Sequence, residues 1–271
     1  MPRSTPSTPA LDPVGTHQAL ERGLSLLSML AASRSTLGVV ELGRATGLSK
    51  STCHRYLATL VALGFVYQDT ETRRYGLGPS AVELGHAAIR SLDLVSTAAK
   101  PLQALADETG FTASMATLDG PDIVYVDRRR PARAGSRIEL NTQVGSRLPA
   151  YCTSMGKVLL AHRDPDSVRV ILDRTDLTRR GPKTITAREQ LTSVLRSVAS
   201  QGYAVTDEEL GPGLRSVAAP VRDRDGQVVA AVNVSLHMGA WAASMDVIVG
   251  RVKEPLCRTG NEISRRLGYQ G

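Results

Sequence analysis

The stretch Val39-Val40-Glu41-Leu42-Gly43-Arg44-Ala45-Thr46-Gly47-Leu48-Ser49-Lys50-Ser51-Thr52-Cys53-His54-Arg55-Tyr56-Leu57 decides the fold of the N-terminal part of this chain. Val39, Val40, Leu42 and Ala45 make a short helical pattern that stops at Gly47, a residue free to take the positive φ of a tight interhelical turn. Gly43, with no side chain, lets the next helix approach closely. Ser49 is placed to cap that helix, and Cys53, Leu57 and Leu60 form its inward face. Its start and outward face carry Ser49, Lys50, Ser51, Thr52, His54, Arg55 and Thr59. Small hydroxyls there can approach phosphate or base edges, and the longer donors reach guanine or phosphate, as a helix entering a DNA major groove requires.

Working outward, Leu20, Leu24, Leu27 and Leu30 follow helical spacing from Ala19 and stop at Ser33-Arg34-Ser35-Thr36, which predicts a first helix with one buried face. Downstream, Phe65-Val66-Tyr67 and Tyr75-Gly76-Leu77 flank Asp69-Thr70-Glu71-Thr72-Arg73-Arg74. This reads as a hairpin wing whose basic side, Arg73 and Arg74, lies along the phosphate backbone. Helix-turn-helix patterns also occur in proteins that never touch DNA, and the basic hairpin is what tips the reading. Cys53 reads as a small buried hydrophobe, His54 has a structural alternative, and Arg73 and Arg74 taken alone would be a solvated pair.

The 271 residues suit two domains. With 42% hydrophobic and 22% charged residues the composition is that of a folded soluble protein, without an apolar run long enough to span a bilayer. Residues 1–15, rich in Pro, Ser and Thr, read as a disordered tail without a signal-peptide core. Cys53, Cys152 and Cys257 are odd in number and far apart, which argues against disulfides and zinc and for a cytoplasmic location. A net charge of +7 suits a polyanionic partner. Residues 1–92 hold nine Lys and Arg against six Asp and Glu, so the case for DNA rests on placement.

Beyond residue 78 the pattern changes. Ser80 and Glu83, spaced as a capping box, open a linker helix over 79–92 that carries Val82 and Leu84. Leu94 to Glu108 is helical, with Pro101 as a break or a new start inside it. Thr112 to Leu118 and Ile123 to Asp127 make a hairpin around Asp119-Gly120-Pro121-Asp122. Thr186 and Glu189 form a second capping box for a helix ending at Gly202, and strands Ser216 to Val221 and Gln227 to Leu236 flank a turn at Asp225-Gly226. Helices around an antiparallel sheet predict an α+β domain over 93–271, following a reader over 16–78.

Within it, the segment Arg147 to Gly156 is the pocket candidate, because Thr153-Ser154-Met155-Gly156 opens an apolar helix whose free N–H groups favour a carboxylate. Asn233 and Ser235, two apart, share one face of an otherwise apolar strand, which is either pocket or solvent-exposed. Arg147 and Arg215 either grip a carboxylate or bridge to Asp207, Glu208 or Glu209. Arg128-Arg129-Arg130 with Arg133 and Arg137 reads as a solvated loop or dimer surface.

The stretch quoted first, with Tyr75-Gly76-Leu77-Gly78, resembles the DNA-binding domain of the IclR family of regulators. The resemblance continues through Leu148-Pro149-Ala150-Tyr151-Cys152-Thr153-Ser154-Met155-Gly156-Lys157, Gly202 to Glu209 and Gly213 to Val221, and so covers nearly everything after the tail. It implies a winged helix-turn-helix reader of operator DNA joined to a GAF-like sensor of a small organic acid, acting as dimers that pair into tetramers on DNA. It also implies that Tyr151, Thr153, Ser154, Met155, Asp207, Ser216, Asn233 and Ser235 belong to the effector site. Arg147 to Gly156 and Gly213 to Ser216 look most like regulators of aromatic-acid catabolism through protocatechuate and β-ketoadipate. Sensing of an unrelated carboxylate is the alternative within the family. The alternative from another class is an enzyme using Cys152 or Ser154 with His162 or His237, but no nucleophile elbow, metal motif or phosphate loop accompanies them. No cofactor, metal or membrane is expected.

Overall fold

A computed structural model of the chain describes residues 17–33, 35–91, 93–132, 142–237 and 243–271. The readings for residues 1–15, Arg133 and Arg137 lie outside the described residues. The chain divides into two compact units, Met1–Ser91 and Leu92–Gly271. No helix among the described residues is long and apolar enough to cross a membrane.

In the first unit α1 (Gln18–Ala32), α2 (Val39–Thr46) and α3 (Lys50–Ala62) pack around Leu26, Leu30, Leu42, Cys53 and Leu57. Gly47 ends α2 at φ 69°, and a Cβ on Gly43 would lie 2.9 Å from the Leu48 carbonyl oxygen. Both glycines are therefore required by the turn. Strands β1 (Val66–Gln68) and β2 (Tyr75–Leu77) pair antiparallel, and Leu37 extends the ladder by exchanging two backbone bonds with Tyr75. The helix α4 (Pro79–Ser91) follows.

Two expectations change here. The buried stripe of α1 is Leu26 and Leu30, while Leu20 and Leu24 are 65% and 54% exposed. The leucines form two stripes, and only one meets α2 and α3. Ser80 does not cap α4: Pro79 takes the first helical position, where its missing N–H costs nothing, and the Ser80 hydroxyl donates to the Leu63 carbonyl at 3.2 Å.

The second unit runs α5 (Asp93–Thr109), β3 (Thr112–Asp119), β4 (Asp122–Arg129), β5 (Arg147–Pro149), α6 (Ser154–Ala161), α7 (Pro165–Asp173), α8 (Arg188–Gln201), β6 (Ala204–Asp207), β7 (Leu214–Arg222), β8 (Val228–His237) and α9 (Met245–Arg266). Its strands form one antiparallel sheet in the order β5-β4-β3-β8-β7-β6. The side-chain period of two sends Met115, Val217, Ala219, Val232 and Val234 to the face covered by α5 and α9. Ala116, Ile123, Ala218 and Ala231 go to the opposite face, under α6 and α8. This is the α+β architecture expected. Pro101 does not interrupt α5, because Ala98, Leu102 and Leu105 around it are fully buried and packing outweighs one missing hydrogen bond. The Thr186–Glu189 capping box is absent: Ala187 stands at the N-cap of α8 without a side-chain bond.

Candidate functional site

The reader is built from its cap outward. The Ser49 Oγ accepts the Thr52 N–H at 3.2 Å and donates to the Thr52 Oγ1 at 2.8 Å. Those two hydroxyls thus serve the start of α3 first. Lys50, Ser51, His54, Arg55 and Thr59 are exposed along the same helix, with Thr59 donating back to the Arg55 carbonyl. Because Cys53 and Leu57 are fully buried, the helical period fixes this outward face.

In the wing, Asp69 Oδ1 accepts the N–H groups of Glu71 and Thr72 and the Thr72 hydroxyl. The Thr72 backbone bond, above all, holds its carboxyl below the ordinary range. This loop leaves Arg73 exposed at φ 57°. Arg74 corrects the reading of two equivalent phosphate contacts. Its guanidinium donates to the Thr36 carbonyl at 3.0 and 2.7 Å and to Glu41 Oε2 at 2.9 Å, while that same carboxylate oxygen accepts the Gly38 N–H at 2.6 Å. Arg74 ties the wing to the start of α2. Glu41, its partner, carried no signal in the sequence beyond its place in the first turn.

In the second unit a small cavity of about 50 Å³ opens beneath the start of α6. Thr153 caps that helix by accepting the Gly156 N–H at 3.2 Å. A Cβ on Gly156 would lie 2.2 Å from the Ala150 carbonyl oxygen, so only glycine lets α6 rest on the preceding tight turn Ala150–Cys152. Facing α6 on the sheet is a polar belt in two rows. Thr206, Ser216, Ser235 and Thr112 stand directly opposite one another on four successive strands. One step along, Arg128, Ser114 and Asn233 do the same on three. A chain of hydroxyls links the belt to the helix, with Ser154 to Ser216 and Ser216 to Thr206 both at 2.7 Å.

The cavity brings together Thr153, Met155, Arg215, Ser216, Asn233 and Ser235 of the anticipated set. Asn233 is 4% exposed, which resolves its face as interior. Ser154 reaches the belt through Ser216. The other anticipated residues lie elsewhere. Arg147, on the edge strand β5, pairs with Asp119 at 2.7 Å and Asp122 at 3.4 Å. Tyr151 is in the core and its hydroxyl donates to the Thr178 carbonyl at 2.7 Å. Asp207 is held by Arg215 Nε at 2.6 Å and by Lys183. Burial raises its pKa, but these two cations outweigh it and hold the carboxyl below the ordinary range. Arg215 also donates to the Ala243 carbonyl, so much of its guanidinium is committed to the protein.

Arg128 is the residue the sequence reading placed wrongly. It lines the cavity, with Nη1 3.5 Å from the Ser114 hydroxyl. Its neighbour Arg129 falls on the other face of the alternating strand and pairs with Asp127 at 2.9 Å, while Arg130 lies beyond the end of β4. Tyr125 was also missed; burial pushes its phenol up to about 12, so it stays protonated beside the cavity.

Cys152 does not have the surroundings of a nucleophile, since burial pushes its thiol up to about 11. His162 is depressed by burial and its Nδ1 lies 2.9 Å from the Val158 carbonyl oxygen. Among the described residues no cluster of His, Cys, Asp and Glu is arranged to hold a metal ion.

A winged helix-turn-helix unit followed by an α+β unit with a polar pocket against its sheet defines a two-unit, DNA-binding transcriptional regulator. The chain belongs to the IclR family: residues 19–70 match the IclR helix-turn-helix domain and residues 86–265 the C-terminal domain of bacterial IclR transcriptional regulators. It is 40% identical over 221 residues to the Pca regulon regulatory protein of Pseudomonas putida, covering 82% of this chain and 75% of that protein. It is 34% identical over 255 residues to the HTH-type transcriptional regulator XynR of Escherichia coli K12, covering 93% and 98%. The crystal structure of RHA06195 from Rhodococcus sp. RHA1 superposes with a TM-score of 0.79 at 35% identity, over 93% of this chain and 98% of that one. The family and these relatives are regulators, not enzymes.

Proposed function

We propose that the protein reads an operator through Lys50, Ser51, His54 and Arg55 of α3, with Arg73 on phosphate, and that a small organic acid bound beneath α6 controls that binding. The observation that carries the acid is electrostatic. Arg128 and the N-terminal end of α6 give the cavity wall positive character, and an anion is the occupant that such a wall favours. The likeness to a Pca regulon regulatory protein supports an aromatic acid such as protocatechuate, or another acid of the β-ketoadipate pathway.

The cavity of about 50 Å³ is far smaller than the roughly 150 Å³ that holds a benzene ring. An aromatic effector therefore selects a more open state of the unit, which is the differential affinity that control requires. Leu20 and Leu24 of α1 and Val82 and Leu84 of α4 are all more than half exposed, and this apolar surface supports a homodimer on a two-fold operator, pairing into tetramers.

Gel-shift titrations at fixed salt test the reading. Arg55→Ala is expected to lose roughly tenfold or more in operator affinity while random DNA is bound as before. An aromatic acid is expected to shift the wild-type titration, and Ser235→Trp to lose that shift. Unchanged operator binding by an Arg55→Ala/Arg73→Ala variant would refute the assignment of α3 and the wing.

A further inference from the structure

Resting on the reading of this pocket as an acid site, we propose that Tyr125 is an effector-binding residue whose phenol hydroxyl donates a hydrogen bond to the acid's carboxylate at the start of α6. A regular strand sends residues three apart to opposite faces, yet Tyr125 and Arg128 both line the cavity. The register of β4 explains this. Asp127 stands opposite Met115 and Tyr125 opposite Ala116, so Val126 is an extra residue, and the bulge turns Tyr125 onto the α6 face with Arg128. Its backbone is fixed there, accepting the Gly145 N–H at 2.8 Å and donating to the Ser146 carbonyl at 3.0 Å.

Tyr125 is 5% exposed, and among the described residues its hydroxyl has no hydrogen-bond partner. A buried phenol usually finds one. Other hydroxyls of the site are engaged: Ser154, Ser216 and Thr206 bond to one another, and Thr153 caps α6 and donates to the Pro149 carbonyl at 3.1 Å. The Asn233 Oδ1 also lacks a partner among the described residues, but it is sealed from solvent and out of a ligand's reach, whereas the Tyr125 hydroxyl is not sealed. At the helix, the Thr153 cap takes the Gly156 N–H and leaves those of Ser154 and Met155 without an intrahelical partner. A carboxylate in so small a cavity meets the phenol on the sheet and the positive end of α6 together. Arg128 adds to this through its charge, which reaches the phenol whatever bonds the guanidinium makes. Burial nevertheless holds the phenol protonated, with a pKa of about 12, so it meets an anion as a donor.

Calorimetry and thermal denaturation of the full-length wild type and Tyr125→Phe test this, with benzoate, 4-hydroxybenzoate, 3,4-dihydroxybenzoate and 3-oxoadipate as probes. Because the hydroxyl makes no bond to the protein, Tyr125→Phe is expected to melt at or above the wild-type temperature when no acid is present. Each acid that binds the wild type is expected to lose about tenfold or more in affinity, whatever it carries beyond its carboxylate. Affinities unchanged in Tyr125→Phe overturn the contact and leave the acid site standing. A loss confined to the hydroxylated acids moves Tyr125 to the other end of the molecule and overturns the carboxylate assignment. A variant that melts well below the wild type, or fails to fold, overturns the premise that the hydroxyl is free for a ligand. Absence of wild-type binding by all four acids overturns the proposal together with the acid reading.

Discussion

The two units solve recognition in opposite ways. In the first, Lys50, Ser51, His54 and Arg55 are neighbours in sequence and exposed on a helix whose inner face is fully buried at Cys53 and Leu57. In the second, the cavity draws Arg128 from β4, Asn233 and Ser235 from β8, Arg215 and Ser216 from β7 and Thr153 from the cap of α6. Function and stability are separable where the working side chains stand outside the core. Where the same residues carry the belt of hydroxyls and ion pairs that holds α6 on the sheet, they are not.

That contrast is tested hardest by Lys157. Its ammonium and the Glu209 carboxylate lie 2.5 Å apart with the side chains 1% and 8% exposed, and Glu209 Oε2 has no partner among the described residues. Burial lowers the pKa of Lys157 and raises that of Glu209, each shift opposed by the other charge. Lys157→Met strands a buried carboxylate and is expected to cost about 3–5 kcal/mol in urea denaturation, most of it recovered in Lys157→Met/Glu209→Gln. A cost below about 1 kcal/mol would erase the difference drawn between the units.

Within the reader, Arg73 and Arg74 sharpen the same point at single-residue scale. Arg74→Ala removes the tie to Thr36 and Glu41 and is expected to destabilise the protein by about 1 kcal/mol, a figure discounted for partial exposure. Arg73→Ala is expected to leave the melting temperature unchanged, weaken specific and random DNA binding alike, and lower the salt slope by about 1. If Arg74→Ala leaves the melting temperature unchanged and alters only the salt slope, the distinction between strut and contact fails. The smallest effect belongs to Arg73→Gly, which relieves a left-handed backbone at φ 57°. It should gain up to about 1 kcal/mol in thermal denaturation while losing the same DNA affinity as Arg73→Ala.

Legibility followed this division. Helix boundaries near α3, the Gly47 turn, the Ser49 cap and the hairpin strands were all readable, because each is fixed by residues within a few positions of one another. The capping boxes at Ser80 and Thr186 failed for the complementary reason. Their spacing was right, but Pro79 and Ala187 hold the boundary positions once the helices are packed. Of the residues grouped from sequence, Thr153, Ser216, Asn233 and Ser235 do line one cavity, whereas Arg147 and Tyr151, close to Thr153 in sequence, turn to other partners. A strand edge and a tight turn separate residues that sequence proximity seemed to join.

By itself the sequence determined the reader, its outward helical face and the order of elements in the sensor, since periodicity, caps and turn glycines act over a few residues. Which arginine enters the cavity was decided only by tertiary structure. Arg128, Arg129 and Arg130 are chemically alike, and it is the register of β4 against β3, with Arg128 opposite Ser114, that puts one of them beside the belt. The orphaned acceptor of Asn233 likewise exists only once β7, β8 and β3 pair, because an asparagine lacks a partner only relative to the neighbours that folding supplies.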